Sequence, residues 1–265
     1  MASTNDLSVP AYPHNSHTRQ FLEQRVVSIQ DDYETSRQSS SSKHPMSWSQ
    51  HDRDIEQIVS AYNNYLGSTP GYTPLDWHLV KAMVWTETGP VAPNNDWNTE
   101  AMQSANTGDL GLPEMMSNPD RTNLIVPPSL RGALSSPNSN AYNNIATGVG
   151  YLLYAAANFG QKTITDTKNL KKVTVDKGDT LEKLAARLGT TVQVLQQDNR
   201  GVSPKSLKPG MVLTYSPATV VTAIKSWKSI TPSSAAALYN GHGDPSYADK
   251  LSFFYQMINS NRPLQ

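Results

Sequence analysis

Glu87 is the residue whose setting in the sequence points most directly to chemistry. Leu79, Val80, Met83 and Val84 recur at helical spacing along one face, and Glu87 falls on the same stripe. A carboxylate placed there is costly to ionise. Apolar surroundings penalise the charged form, and the negative end of the helix dipole adds to the penalty. Both effects raise its pKa, which is what a general acid working near neutral pH requires. Spacing alone leaves a second reading open, a glutamate in a last helical turn that bends into water.

The helix that must hold Glu87 has start and stop signals. Thr73, Pro74 and Asp76 read as an N-cap, an N1 proline and an acidic N3, and Gly89 with Pro90 ends the pattern. Upstream, Ile55, Ile58, Val59, Tyr62 and Leu66 keep helical spacing and predict a first core helix. Residues 91–140 are rich in Asn, Pro, Ser and Gly. They predict loops and a small hairpin, an arrangement more often a binding surface than a defect. Helix returns over residues 142–159, with Ile145, Val149, Leu152, Leu153 and Ala156 on one face. Gly148 and Gly150 leave room there for a close helix contact, at some cost in helix propensity. Past Pro217 a helical pattern resumes.

The flanks and the composition bound the answer. Residues 1–46 read as an accessory arm, with Phe21, Leu22, Val26, Ile29 and Tyr33 on one face of a short helix and a serine run at 39–42 as linker. Disorder is the alternative for this arm. At 265 residues the chain holds one large or two modest domains. Zero formal net charge gives a nucleic-acid partner no electrostatic support. With no cysteine there is neither a disulfide nor a thiolate metal site. The six histidines show no paired helical ligand spacing, and no Gly-x-Ser-x-Gly is present, so neither a metal, another cofactor nor a serine nucleophile is expected. The first twenty residues show no secretory leader, and the richest apolar run, residues 151–159, is too short to span a bilayer.

Four segments carry a family resemblance. Residues 79–89 (LVKAMVWTETG) resemble the catalytic-glutamate helix of the goose-type lysozyme and soluble lytic transglycosylase superfamily. Residues 108–115 (GDLGLPEM) look like its G-x-x-G-L-M-Q turn, with Glu114 where the family has Gln. Residues 144–153 (NIATGVGYLL) and 235–241 (AAALYNG) are similar to its later helices, in family order. The resemblance implies that Glu87 is the proton donor and that Tyr239 is the tyrosine lying near it. Asp96, Asp109 and Glu114 occupy the stretch where a second carboxylate would sit. Trp97, Tyr142 and Asn144 fall where the substrate would be held, the two aromatics as stacking faces for sugar rings. Each has a plainer alternative, a solvated loop carboxylate or a core side chain.

A second resemblance covers a whole module. Residues 173–181 (VTVDKGDTL) read as an alternating strand running into a turn, and 181–189 (LEKLAARLG) as a short helix closed by glycine. Residues 191–199 (TVQVLQQDN) read as a second helix and 207–214 (LKPGMVLT) as a returning strand. This strand–helix–helix–strand order resembles a LysM module along its length. The resemblance implies binding of N-acetylglucosamine-containing polymers. It places a sugar groove between Gly178, Asp179, Thr180 and Leu181 on one side and the loop from Asn199 to Val202 on the other.

The fold expected is therefore a mainly α, lysozyme-like (α+β) catalytic domain of residues 47–165 and 217–265, with a small βααβ LysM module at 172–216 inserted into it. Insertion is tolerable when the module's ends lie close together, as paired first and last strands ensure. Two functions of different class follow. One is a glycosidase, lytic transglycosylase or muramidase, cleaving peptidoglycan strands at the MurNAc–GlcNAc β-1,4 bond. The other is a catalytically silent peptidoglycan-binding part of a phage or secretion apparatus. An enzyme made in the cytoplasm without a leader and acting on the wall fits a phage lytic product or an effector delivered by a type VI-like machine. A delivery apparatus and an immunity protein would then join the glycan as partners.

Overall fold

The structure is a computed structural model that describes residues 49–88, 94–106, 111–240 and 244–260, with helical backbone also at positions 20 and 24. The arm expected over residues 1–46 lies otherwise outside the described residues. Two compact units are present. One comprises the chain through Asn158 and again from Ile224, and the other is Phe159–Ala223.

In the helical unit, α1 (Asp52–Leu66) opens with Asp52 and Asp54 at the positive end of its dipole. It buries Ile55, Ile58, Val59, Tyr62 and Leu66, the face read from spacing. The next helix, α2 (Trp77–Glu87), starts later than Thr73 and Pro74 suggested. Its N-cap is Asp76, which accepts the His78 amide N–H at 3.0 Å. The reason lies in α1: the Asn63 side chain takes both backbone groups of Leu75, accepting its N–H at 2.8 Å and donating to its carbonyl at 3.0 Å. That clamp holds residue 75 out of the helix. From Leu79 to Thr86 every α2 side chain is buried, including Lys81, whose ammonium pairs with Asp52 at 2.8 Å.

No strand forms among the described residues of 91–140, where a hairpin was expected. Short helices α3 (Asn94–Thr99), α4 (Gly111–Ser117) and α5 (Pro119–Ile125) are followed by 3-10 turns over Pro128–Ser135 and Pro137–Ser139. Proline opens α5 and both 3-10 turns, the position where its missing N–H costs nothing and a sheet ladder is denied. Helix α6 (Ala141–Ala156) then runs through the core, with Ile145, Val149, Leu152, Leu153 and Ala156 all fully buried. Its glycines are where neighbours press closest. A Cβ at Gly148 would meet the Tyr239 hydroxyl at 2.8 Å, and one at Gly150 the Tyr62 hydroxyl at 2.6 Å.

Two segments depart from the sequence reading. The two ends of the connector, 163–165 and 171–172, are strand, as are the first ten residues after Pro217, and the helical pattern begins only at Pro232. β1 (Ala157–Thr165) and β4 (Ala218–Trp227) pair as a two-stranded ribbon. Thr219, Val220, Val221, Thr222 and Ile224 explain β4, because a run of β-branched residues prefers the pleated backbone. The unit closes with α9 (Pro232–Tyr239), which has a Thr231/Ser234 capping box, and α10 (Tyr247–Asn259).

Besides most of β1 and the first part of β4, the small unit holds β2 (Lys171–Thr174), α7 (Leu181–Leu188), α8 (Val192–Asp198) and β3 (Val212–Tyr215). β2 and β3 are antiparallel, with Val173 opposite Leu213. Both strands are shorter than expected. Beyond them the pairing continues as two loop bonds, Val175 N–H to the Met211 carbonyl and Gly210 N–H to the Val175 carbonyl, each 2.8 Å. Thr180 and Thr191 cap the helices by accepting the Lys183 and Val194 amides. Gly189 ends α7 at φ +62°, the left-handed conformation a helix terminus most readily gives to glycine. Val175, Leu181, Leu184, Ala185, Leu195 and Leu213 form its core. No helix among the described residues is long and apolar enough to cross a membrane.

Candidate functional site

Glu87 is the last residue of α2 and is half-exposed, while Thr88 beyond it is buried. Thr88 fastens the helix end to a loop: its hydroxyl donates to the Ala101 carbonyl at 3.0 Å. That loop is gripped from two further helices. The Met102 amide donates to the Asn144 side-chain carbonyl at 2.7 Å, the Tyr239 hydroxyl donates to the Met102 carbonyl at 2.7 Å, and the Ser104 hydroxyl donates to the Asn144 carbonyl at 2.9 Å. Between them Gln103 adopts φ +49°. A non-glycine residue keeps that conformation only where its surroundings over-determine it. Elements distant in the chain thus converge on four residues bonded to the end of the Glu87 helix.

Opposite stands α10, whose Tyr247 is 4% exposed. The Tyr247 hydroxyl is buried, and the group it interacts with is the Glu87 carboxyl, by charge and as a hydrogen-bond donor. It lies near enough to Glu87 to feel its charge. Burial first, then the Glu87 carboxylate, hold the phenol pKa well above its ordinary value, with Tyr239 and Asp244 adding to the effect. The phenol therefore stays protonated, a buried donor beside a carboxylate. Asp244 is set the other way. Burial opposes its charge, but the Lys250 ammonium at 2.7 Å and the Ser246 amide at 2.8 Å prevail and hold its carboxyl below the usual range. Ala236, Asn240, Asp244 and Tyr247 border a cavity of about 300 Å³.

The expected site residues separate under this geometry. Tyr239 packs on Tyr151 at 5.8 Å and spends its hydroxyl on Met102. Tyr247 was not singled out in the sequence, although Tyr247, Leu251 and Phe254 share one helical face and could have revealed a buried first-turn tyrosine. Asp96 is half-exposed on α3, Glu114 is exposed on α4, and Asp109 lies outside the described residues. Trp97 corrects an expectation. At 1% exposure it packs edge-on against Trp85 and tilted on His51, and offers no face to a sugar. Asn144 is likewise fully buried and serves the loop at 101–104. Tyr142 is half-exposed in the first turn of α6. With burial the larger cause, it helps keep the Tyr62 phenol protonated.

In the small unit the expected groove residues also divide. Gly178, at φ +86°, and Thr180 are exposed. Asp179 accepts the Asp176 amide at 2.9 Å and the Arg187 guanidinium at 3.0 Å. Leu181 is core. Asn199 bonds Thr214 in both directions, accepting its N–H and donating to its carbonyl, and donates to the Leu195 carbonyl as well. These last three side chains hold the module together.

Over residues 173–215 the chain matches the family model of the LysM domain. This stretch is a LysM domain. The LysM domain implies binding of peptidoglycan glycan, and its helices, caps and paired strands are those just described. No curated protein and no solved structure matches the chain. The LysM match carries neither a lysozyme-like fold for the helical unit nor a glycosidase activity.

Proposed function

We propose that this protein cleaves the glycan strands of peptidoglycan, with Glu87 as the acid and the LysM domain holding the polymer. The observation that supports it is the pairing of Glu87, at the end of a buried helix, with the buried Tyr247 hydroxyl. Cleavage needs a proton on the leaving oxygen as an oxocarbenium-like centre develops. In this reading Glu87 gives that proton, and Tyr247 orients the carboxyl group. The resulting carboxylate then takes a proton back, either from the muramic acid C6 hydroxyl, closing a 1,6-anhydro ring, or from water, leaving a reducing end. The first route works with one carboxylate, consistent with an exposed Glu114. Delivery to the wall as a phage product or injected effector belongs to the same proposal.

A second reading is a silent glycan-binding protein, favoured by the LysM match covering residues 173–215 alone. Mass spectrometry of material released from purified sacculi separates the two. The enzyme reading predicts muropeptides with anhydro or new reducing ends. Folded, sacculus-bound protein that releases none supports the silent reading.

A further inference from the structure

A second cavity of the helical unit lies away from Glu87. It lies at the other end of α2, has a volume of about 360 Å³, and is lined by Tyr72, Asp76, Trp227, Lys228, Thr231 and Tyr255 among others. With eleven residues in α2, its ends are roughly 16 Å apart at 1.5 Å per residue. The walls are built rather than incidental. Tyr72 donates to the Asn63 side chain at 2.7 Å, Trp227 Nε1 to the Thr69 hydroxyl at 3.1 Å, and the Lys228 amide to the Ala156 carbonyl at 2.8 Å. Tyr72 and Trp227 meet edge to face at 5.0 Å. On the facing side Asp76 accepts from the Tyr255 hydroxyl at 2.8 Å and from the His78 amide at 3.0 Å.

We propose that this cavity is a saccharide subsite, taking one neutral pyranose of the glycan polymer at a place separate from Glu87 and from the LysM domain. The proposal rests on the reading that this chain acts on glycan. Three observations select that ligand. The volume stands at the small end of ligand pockets, right for a ring rather than a strand. Aromatic rings beside polar groups offer a sugar its apolar face and its hydroxyls together. The polar lining is mixed: Asp76 is an acceptor with lone pairs to spare, Thr231 shares its hydroxyl with the Ser234 cap, and the Lys228 ammonium donates to the Ala155 carbonyl at 2.9 Å. An anionic ligand would face the Asp76 carboxylate, and a cationic one would face Lys228. Burial raises the pKa of both phenols, Tyr72 to about 12, and Asp76 adds to the rise at Tyr255, so both remain hydrogen-bond donors.

The chain contains its own reporter. All five tryptophans lie outside residues 159–223, and Trp227 lines this cavity, so the part of an emission change that Trp227→Phe removes reports sugar bound there. The test titrates the full chain, in a Glu87→Gln background that prevents turnover, with short N-acetylglucosamine oligomers. A saturable emission change is expected, lost in Trp227→Phe and retained with about tenfold weaker Kd in Asp76→Asn, a change that keeps the helix cap. A signal undiminished in Trp227→Phe, or an Asp76→Asn Kd equal to the parent, overturns the subsite. Tenfold tighter binding of de-acetylated glucosamine oligomers overturns its assignment to a neutral sugar. Absence of glycan cleavage by the parent chain, with this signal intact, would remove the enzyme reading and leave the subsite standing.

Discussion

The LysM domain and the helical unit depend on their sequences in different ways. In the LysM domain each helix is capped by its own neighbour, Thr180 for α7 and Thr191 for α8, and Gly189 closes the first within the same short stretch. In the helical unit the determining contacts span the chain: Tyr239 to Met102, Tyr255 to Asp76, Trp227 to Thr69. Local rules suffice for the first kind of structure and not for the second. Charge divides along the same line. Residues 159–223 carry ten Lys or Arg against five Asp or Glu, so in a chain of zero net charge the remainder is acidic.

The contrast can be broken or sharpened by experiment, beginning with the largest effect. Replacing residues 172–216 by a short flexible linker should lower retention on sacculi by about 10²-fold or more, because tethering acts through effective concentration. Cleavage of short soluble glycans should change far less, and equal retention without the domain would remove LysM from the account. Next come the glycines. Gly148→Ala forces a Cβ to 2.8 Å from the Tyr239 hydroxyl and 3.0 Å from Met102, and should cost about 1–3 kcal/mol as overpacking between distant elements. Gly189→Ala meets no neighbour within 4 Å but must hold φ +62°, and should cost about 1 kcal/mol, confined to the LysM domain. Chemical denaturation that ranks Gly189→Ala above Gly148→Ala would contradict the contrast.

The acid limb of stability should follow His51. Burial pushes this imidazole below its ordinary 6.5, outweighing the Trp97 carbonyl it donates to at 2.9 Å and the nearby Asp54 and Asp52. Below pH 6.5 the unfolded chain therefore takes up the proton first, so stability falls as pH drops through that window and is regained above it. Melting temperatures at pH 7.5 and 5.5 should differ less in His51→Gln than in the parent, and an equal drop in both would assign the acid limb elsewhere. The smallest effect expected is electrostatic. Retention on anionic sacculi should weaken several-fold between low and physiological salt, since the basic charge sits in the LysM unit and is screened over about 8–10 Å.

These differences also explain what could be read in advance. The faces of α1 and α6 were legible because a buried stripe repeats every three to four residues. The LysM domain was legible because caps, helices and strands all lie within reach of one another in sequence. β1 and β4 were not, because their pairing joins residues some sixty apart and neither strand alternates cleanly between buried and exposed. The start of α2 was misplaced because Asn63, on another helix, holds Leu75 extended. At the candidate site the stripe placed Glu87 at the end of α2, where it is half-exposed, and the helical face of α10 could show Tyr247 buried but not its approach to Glu87. Tyr239 carried the motif, whereas the approach of α10 brings Tyr247 to the carboxylate.

The division of labour between the two units is tested most directly in the intact chain by Glu87→Gln, with turnover and retention measured on the same sacculi. The amide keeps the shape and removes the transferable proton, so release of glycan fragments should fall by about 10²–10⁴-fold. Retention through the LysM domain should be unchanged, and circular dichroism should match the parent. Undiminished release by the folded Glu87→Gln protein would contradict the account at its centre.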